Sequence, residues 1–305
     1  MKNRVLSIKI LGIILLVIGL FSLFAIPAEF TSFYAFSEGG NSQYEGFGFG
    51  SLMFAFIIFN TMVYFPLALL CIPVGIGNYK LKKWGYNLSL ASLKTLLING
   101  IAITVSILLS FNLLSIVNIY RFVTILILFF AFLIILPYYL IKFYQNTKTK
   151  QIFNVSNPKN LFEEQSSSNL TIILFNLFWI LIFYLFIFFK GAFPLLGAFI
   201  LMKKGTYLLS IAIFTLLILT YLFYNDKKYV KSGILIYDIL LFFTFAITFL
   251  KNSTNDFFNL LDLPVYEVEN VVSAFAIPAE INLGFYFGIL IFAHVYLIIT
   301  TKTKK

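Results

Sequence analysis

The chain of 305 residues is poor in the groups that most enzymes use. It has one cysteine, Cys71, and one histidine, His294. A single cysteine excludes an intramolecular disulfide, a CxxC redox pair and a cysteine zinc cluster. A single histidine excludes bis-histidine haem ligation and a three-histidine zinc site. There is no GxxxxGKS/T or GxGxxG phosphate loop, no GxSxG nucleophile elbow and no HExxH zinc motif. The glycine run Gly46 to Gly50 opens an apolar stretch, where close helix packing explains it better than phosphate binding. Charge is scarce too, at 11% of residues, against about 25% in a soluble domain. These absences leave no catalytic residue, no metal and no cofactor to assign.

What is present is apolar. Hydrophobic residues make up 61% of the chain, and several runs are long enough to cross a hydrocarbon core of about 30 Å. Within lipid a backbone must satisfy its own hydrogen bonds, which leaves helices or a closed barrel. Barrel strands alternate over about ten residues, whereas these runs are continuously apolar and therefore helical. The fold class is all-α: a polytopic integral membrane protein. The net charge of +10 sits in short patches beside apolar helix ends. That placement fits positive-inside anchoring and anionic lipid, with no nucleic-acid partner.

Eight transmembrane helices are expected within a single transmembrane domain over 1–305, at about 5–26, 47–77, 87–110, 113–141, 170–189, 206–224, 233–250 and 283–300. Lysine-rich loops alternate with loops carrying Glu and Asp, which puts the N- and C-termini in the cytoplasm. Ile26 is a poor −3 residue for signal cleavage, so the first helix reads as retained. The segment 191–204, with Gly191, Pro194 and Gly197, is too short to cross. It is expected as a re-entrant or interfacial helix on the outer side, with Lys203 and Lys204 as exceptions to the charge rule.

Phe24 to Glu29 reads FAIPAE, and Phe275 to Glu280 repeats it letter for letter. A looser likeness joins Lys82-Lys83-Trp84-Gly85 to Lys227-Lys228-Tyr229-Val230 and suggests a 4+4 duplication. The FAIPAE copies do not fall at matching places in such halves, and solvation alone accounts for similar helix ends.

Ionisable residues inside apolar helices are costly, and each is a candidate for function. Lys94, Asp238 and His294 are expected in one leaflet, where Lys94 and Asp238 could pair beside His294 as a proton relay or polar pocket. The plain alternative is a structural ion pair, or a lysine snorkelling to the surface. Arg121 is expected near the outer end of the fourth helix, with Glu29 and Glu280 of the repeated motif as partners. There the prolines would end each helix and present the carboxylates to a cation, to a headgroup or as acid and base. Asn60, Thr61, Asn99, Asn118 and Asn176 are expected to hydrogen-bond between helices.

The first functional expectation is a non-catalytic integral subunit or scaffold of a membrane assembly in a prokaryotic cytoplasmic (inner) membrane. Its partners would be membrane lipids and other membrane proteins or further copies of itself. The alternative is a transporter or permease with a midplane polar site. A lipid-modifying membrane enzyme ranks third.

Overall fold

A computed structural model of the protein describes residues 2–37, 52–110, 126–153, 166–225, 229–252 and 282–301, with a few isolated positions between them. The elements in chain order are α1 (Lys2–Ser37), α2 (Leu52–Tyr79), α3 (Lys83–Leu109) and α4 (Leu126–Gln145). They continue with the short α5 (Thr147–Phe153), α6 (Ser167–Phe188), strands β1 (Phe193–Leu195) and β2 (Ala198–Ile200), and α7 (Met202–Tyr224). The last are α8 (Val230–Lys251) and α9 (Leu283–Thr300). Among the described residues, seven helices are long and apolar enough to cross a membrane: α1, α3, α4, α6, α7, α8 and α9. Helix α2 is 28 residues long, and its described apolar part is Val63–Tyr79. Large apolar side chains point outward along these helices, Phe21 on α1 being 73% exposed. Contiguous exposure of that kind suits lipid rather than water. The chain is a multi-pass α-helical membrane protein.

The chain divides into two compact units, Met1–Leu93 with Tyr139–Leu170, and Lys94–Tyr138 with Thr171–Lys305. In the first unit α1 and α2 run antiparallel and touch through glycines. A Cβ added at Gly12 would stand 2.8 Å from the Gly75 carbonyl, and one at Gly19 would stand 2.7 Å from Ile72 Cγ1. Such close approach is how membrane helices gain packing energy without a hydrophobic driving force. Gly77 and Gly85 bring α2 and α3 together in the same way, with a Cβ distance of 2.5 Å. Asn78 Nδ2 then donates to Ser89 Oγ at 3.1 Å across the pair. Ile8, Leu90, Tyr144, Ile152 and Phe153 form the core at this end, and Arg4 donates to Thr149 Oγ1 at 3.2 Å.

Helix α1 does not end at Ile26. It passes through Pro27 to Ser37, so the first FAIPAE copy is helical throughout. Proline forfeits its own N–H bond and strains the preceding turn, at a cost of about 3 kcal/mol. Here Thr31 Oγ1 donates back to the Pro27 carbonyl at 2.7 Å, and Glu29 is held from α2. The carbonyl that Pro27 leaves without an N–H is that of Leu23, four residues back, and proline is tolerated in membrane helices where such groups are re-satisfied by local adjustment. The 36 residues of α1 span about 54 Å, well past the hydrocarbon core.

The second unit has an aromatic core. Trp179, Phe183, Phe245, Phe249 and Phe287 are buried, with ring centroids 5.3–6.0 Å apart in the contacting pairs. Two π turns interrupt its helices, Phe130–Ile135 in α4 and Phe242–Ala246 in α8. At the first, α3 presents Gly100, where a Cβ would lie 2.5 Å from the Leu133 carbonyl.

The segment 191–204 is not helical as expected. Phe193–Leu195 and Ala198–Ile200 pair as an antiparallel hairpin, and Met202 already begins α7. The local reason is glycine. Gly191 (φ +59°) and Gly197 (φ +96°) adopt left-handed backbone, which helix continuation would forbid. A Cβ on Gly205 would overlap the carbonyls of Gly191 and Ile200, so the hairpin lies directly on the start of α7. Its turn is fixed from α8: Gly197 N donates to Thr248 Oγ1, and Asn252 Nδ2 donates to the Gly197 carbonyl, both at 3.0 Å.

Candidate functional site: a buried aspartate–histidine pair

Helices α6, α8 and α9 of the second unit converge on two titratable side chains. Asp238 lies eight residues beyond Val230 on α8, about 12 Å from that helix end at 1.5 Å per residue. His294 lies six residues before Thr300 on α9, about 9 Å from its end. The two helix ends are tied together, since Lys231 Nζ donates to the Thr301 carbonyl. The pair therefore sits inside the span, nearer the end that carries Lys227 and Lys231.

His294 Nδ1 lies 3.0 Å from Asp238 Oδ1, and both side chains are 1% exposed. Phe175 of α6 stacks on the imidazole, with centroids 5.5 Å apart and an interplanar angle of 13°. One side of the pair is thus dry and aromatic. The other two polar atoms, Asp238 Oδ2 and His294 Nε2, are buried and have no hydrogen-bond partner among the described residues. Asn176, the neighbour of Phe175 on α6, is fully buried, and neither its amide oxygen nor its amide nitrogen has a partner there. Buried polar groups are normally satisfied, and each orphan costs about 1–3 kcal/mol.

Chemically the pair is a one-proton device. A neutral aspartic acid beside neutral imidazole and an aspartate beside imidazolium carry the same net charge. They differ only in where the proton sits along the 3.0 Å contact. Gaining or losing one proton creates a net charge in a low-dielectric interior, which must be compensated or moved. The π turn Phe242–Ala246 begins four residues after Asp238, on the same helix. Such turns leave a carbonyl without its usual partner and recur at functional positions.

Of the six residues singled out from sequence, the structure brings Asp238 and His294 together. Lys94 stands half-buried on α3, and the partner that Asp238 has is His294, not Lys94. Glu29 is half-buried on α1, where its Oε1 accepts from Asn60 Nδ2 at 3.2 Å and more loosely from Tyr64 OH at 3.5 Å. Arg121, Glu280 and the second FAIPAE copy lie outside the described residues. Among the asparagines, Asn60 bonds Glu29, and Asn99 accepts from Tyr286 OH at 2.9 Å. Asn176, expected to bond across helices, has no such bond among the described residues, and neither does Thr61 Oγ1. The Phe175 stack was not foreseeable: nothing in a run of phenylalanines marks one as the cover of a histidine.

The architecture and this site define a class, a polytopic helical membrane protein with an ionisable pair inside its span. No known protein family matches the chain, and no characterised protein or solved structure matches it either.

Proposed function

We propose that the protein is a transporter or permease of a prokaryotic cytoplasmic membrane, with both termini in the cytoplasm, and that Asp238 and His294 form its proton-accepting site. One observation carries this reading: a desolvated carboxylate–imidazole pair whose outer atoms, Oδ2 and Nε2, lack hydrogen-bond partners among the described residues. A pair kept only for stability would have its remaining lone pairs satisfied. The pair reached from sequence through Lys94 and Asp238 is thereby reassigned to Asp238 and His294.

The test is uptake in cells expressing the wild type or Asp238→Asn, across a panel of labelled cations, amino acids and sugars. The expected result is one solute class whose uptake follows the pH gradient and disappears in the variant at equal membrane yield. Uptake unchanged by Asp238→Asn, or no solute distinguishing expressing from non-expressing cells, overturns the proposal.

A second reading keeps the chain as a non-catalytic subunit or scaffold. The outer face of α1 favours it, with Leu6, Val17, Phe21 and Phe24 all exposed over some five helical turns. A partner helix or a second copy would cover that face as lipid does. Pull-down in gentle detergent separates the readings, because a subunit brings a stoichiometric protein with it and loses it when Val17 and Phe21 are changed to alanine.

A further inference from the structure

The hairpin end of the second unit combines strain, apolar exposure and charge in a way the aspartate–histidine reading does not use. Of the seven residues with positive φ among those described, five fall between Lys190 and Met202. The two-residue turn is Leu196–Gly197, with φ of +51° and +96°. Positive φ at both central positions is the type I′ pattern, in which asparagine or glycine is the preferred first residue. A leucine there costs about 1–2 kcal/mol of backbone strain. Burial gives little back, because Leu196 is 62% exposed. Met202, also at positive φ, is 60% exposed.

Four lysines stand around this apolar tip. The Lys190 carbonyl accepts from Met202 N at 2.7 Å, which sets Lys190 beside Lys203 and Lys204. Lys251 reaches over the turn, where a Cβ on Gly197 would lie 2.6 Å from its Cδ and 3.3 Å from its Nζ. None of the four has an ion-pair partner among the described residues. An apolar tip ringed by unpaired ammonium groups at the end of a membrane helix bundle matches one chemistry. It is the boundary of an anionic phospholipid, with acyl chain against leucine and methionine and phosphate against lysine.

We infer that the Phe193–Ile200 hairpin, with Lys190, Lys203, Lys204 and Lys251, is a binding surface for anionic phospholipid headgroups, with Leu196 as its apolar wedge. The strained leucine is retained because its side chain meets lipid rather than protein.

The test is native mass spectrometry of the full chain in detergent, titrated with phosphatidylglycerol or phosphatidylcholine of identical acyl chains. Phosphatidylglycerol should be retained roughly tenfold more strongly, with the preference falling stepwise, about twofold per lysine neutralised. Lys190→Gln, Lys203→Gln, Lys204→Gln and Lys251→Gln together should abolish it. The control Lys227→Gln with Lys231→Gln, at the opposite end, should leave it intact. Raising salt to about half-molar should erase the preference in the wild type, a measurement that needs no variant to fold. Leu196→Asn relieves the backbone and removes the wedge, so it should raise thermal stability in lipid-free detergent and lower lipid retention. Equal retention of the two lipids, a salt-insensitive preference, equal loss in the Lys227/Lys231 control, or unchanged retention in Leu196→Asn overturns the inference.

Discussion

Removing Asp238 and His294 singly and together separates a functional pair from an ordinary interhelical hydrogen bond. Asp238→Val leaves both imidazole nitrogens of His294 buried without partners, which should cost about 2 kcal/mol. His294→Leu leaves a buried carboxylate unpaired and should cost about 4 kcal/mol. The double variant leaves no orphan, since Val and Leu fill similar space, and loses chiefly the Phe175 stack, about 1 kcal/mol. The expected coupling is the double minus both singles, 1 − 2 − 4, or about −5 kcal/mol. Hydrogen bonds between membrane helices couple by only about 0.6 kcal/mol on average and 1.7 at most. Equilibrium unfolding in mixed detergent reads these values through Trp179, which packs on Phe287 and Phe245 in the same unit, in a Trp84→Phe background. A coupling weaker than about 1 kcal/mol would refute the desolvated pair. A double variant that is stable yet still transports would refute its role in transport while leaving the geometry intact.

Four further outcomes follow from the same structure. Gly205→Ala places a Cβ 1.9 Å from the Gly191 carbonyl and should cost about 3 kcal/mol, seen as a lower melting temperature; an unchanged one would mean that the hairpin does not rest on α7. Gly12→Val meets the Gly75 carbonyl and Tyr79 N at 2.8 Å and should loosen α1 from α2, measured as faster proteolysis of the first unit; wild-type resistance contradicts the glycine contact. Thr248→Val removes the acceptor for Gly197 N at nearly constant shape, costing about 1 kcal/mol and speeding amide exchange at Gly197, whereas unchanged exchange excludes that anchor. Because Cys71 is the only cysteine, a Cys71→Ser background permits Leu196→Cys and Asn225→Cys labelling with an impermeant maleimide in intact cells. Leu196 should label and Asn225 should not, and the opposite pattern reverses the proposed orientation.

The all-α, multi-pass class was legible because lipid leaves the backbone few options. The expected spans 206–224, 233–250 and 283–300 sit within a few residues of α7, α8 and α9. Two features were not legible, and each for a local reason. Pro27 reads as a helix end in isolation, but α1 runs on through it to Ser37 with Glu29 bonded from α2, and that packing cannot be weighed from the sequence. The hairpin Phe193–Ile200 is three residues on each side of a turn whose first residue is leucine, so neither strand periodicity nor turn chemistry announces it. Its support comes from Thr248 and Asn252, some fifty residues further along the chain. At the site, the rarity of charge pointed to Asp238 and His294. Choosing His294 over Lys94 as the partner needed the rotation of α8 against α9, which apolar helices with no polar face do not encode.

The proposed orientation draws on the two units unequally. In the first, the basic residues Lys2, Arg4 and Lys9 open α1, while Lys80, Lys82 and Lys83 follow α2. Because α1 and α2 are antiparallel, these groups share one end, and the Arg4–Thr149 bond brings Lys148 and Lys150 of α5 to it as well. No Lys or Arg occurs between residues 10 and 79, so the opposite end of that helix pair has none. In the second unit the lysines oppose one another: Lys190, Lys203, Lys204 and Lys251 at the hairpin end, Lys227 and Lys231 at the other. With lysines at both ends, the second unit gives the charge rule conflicting signals, and the first helices of a chain usually dominate. Under the proposed orientation, with both termini in the cytoplasm, the hairpin lysines are the exceptions to the charge rule. The lipid contact inferred for the hairpin gives those lysines a role that orientation does not.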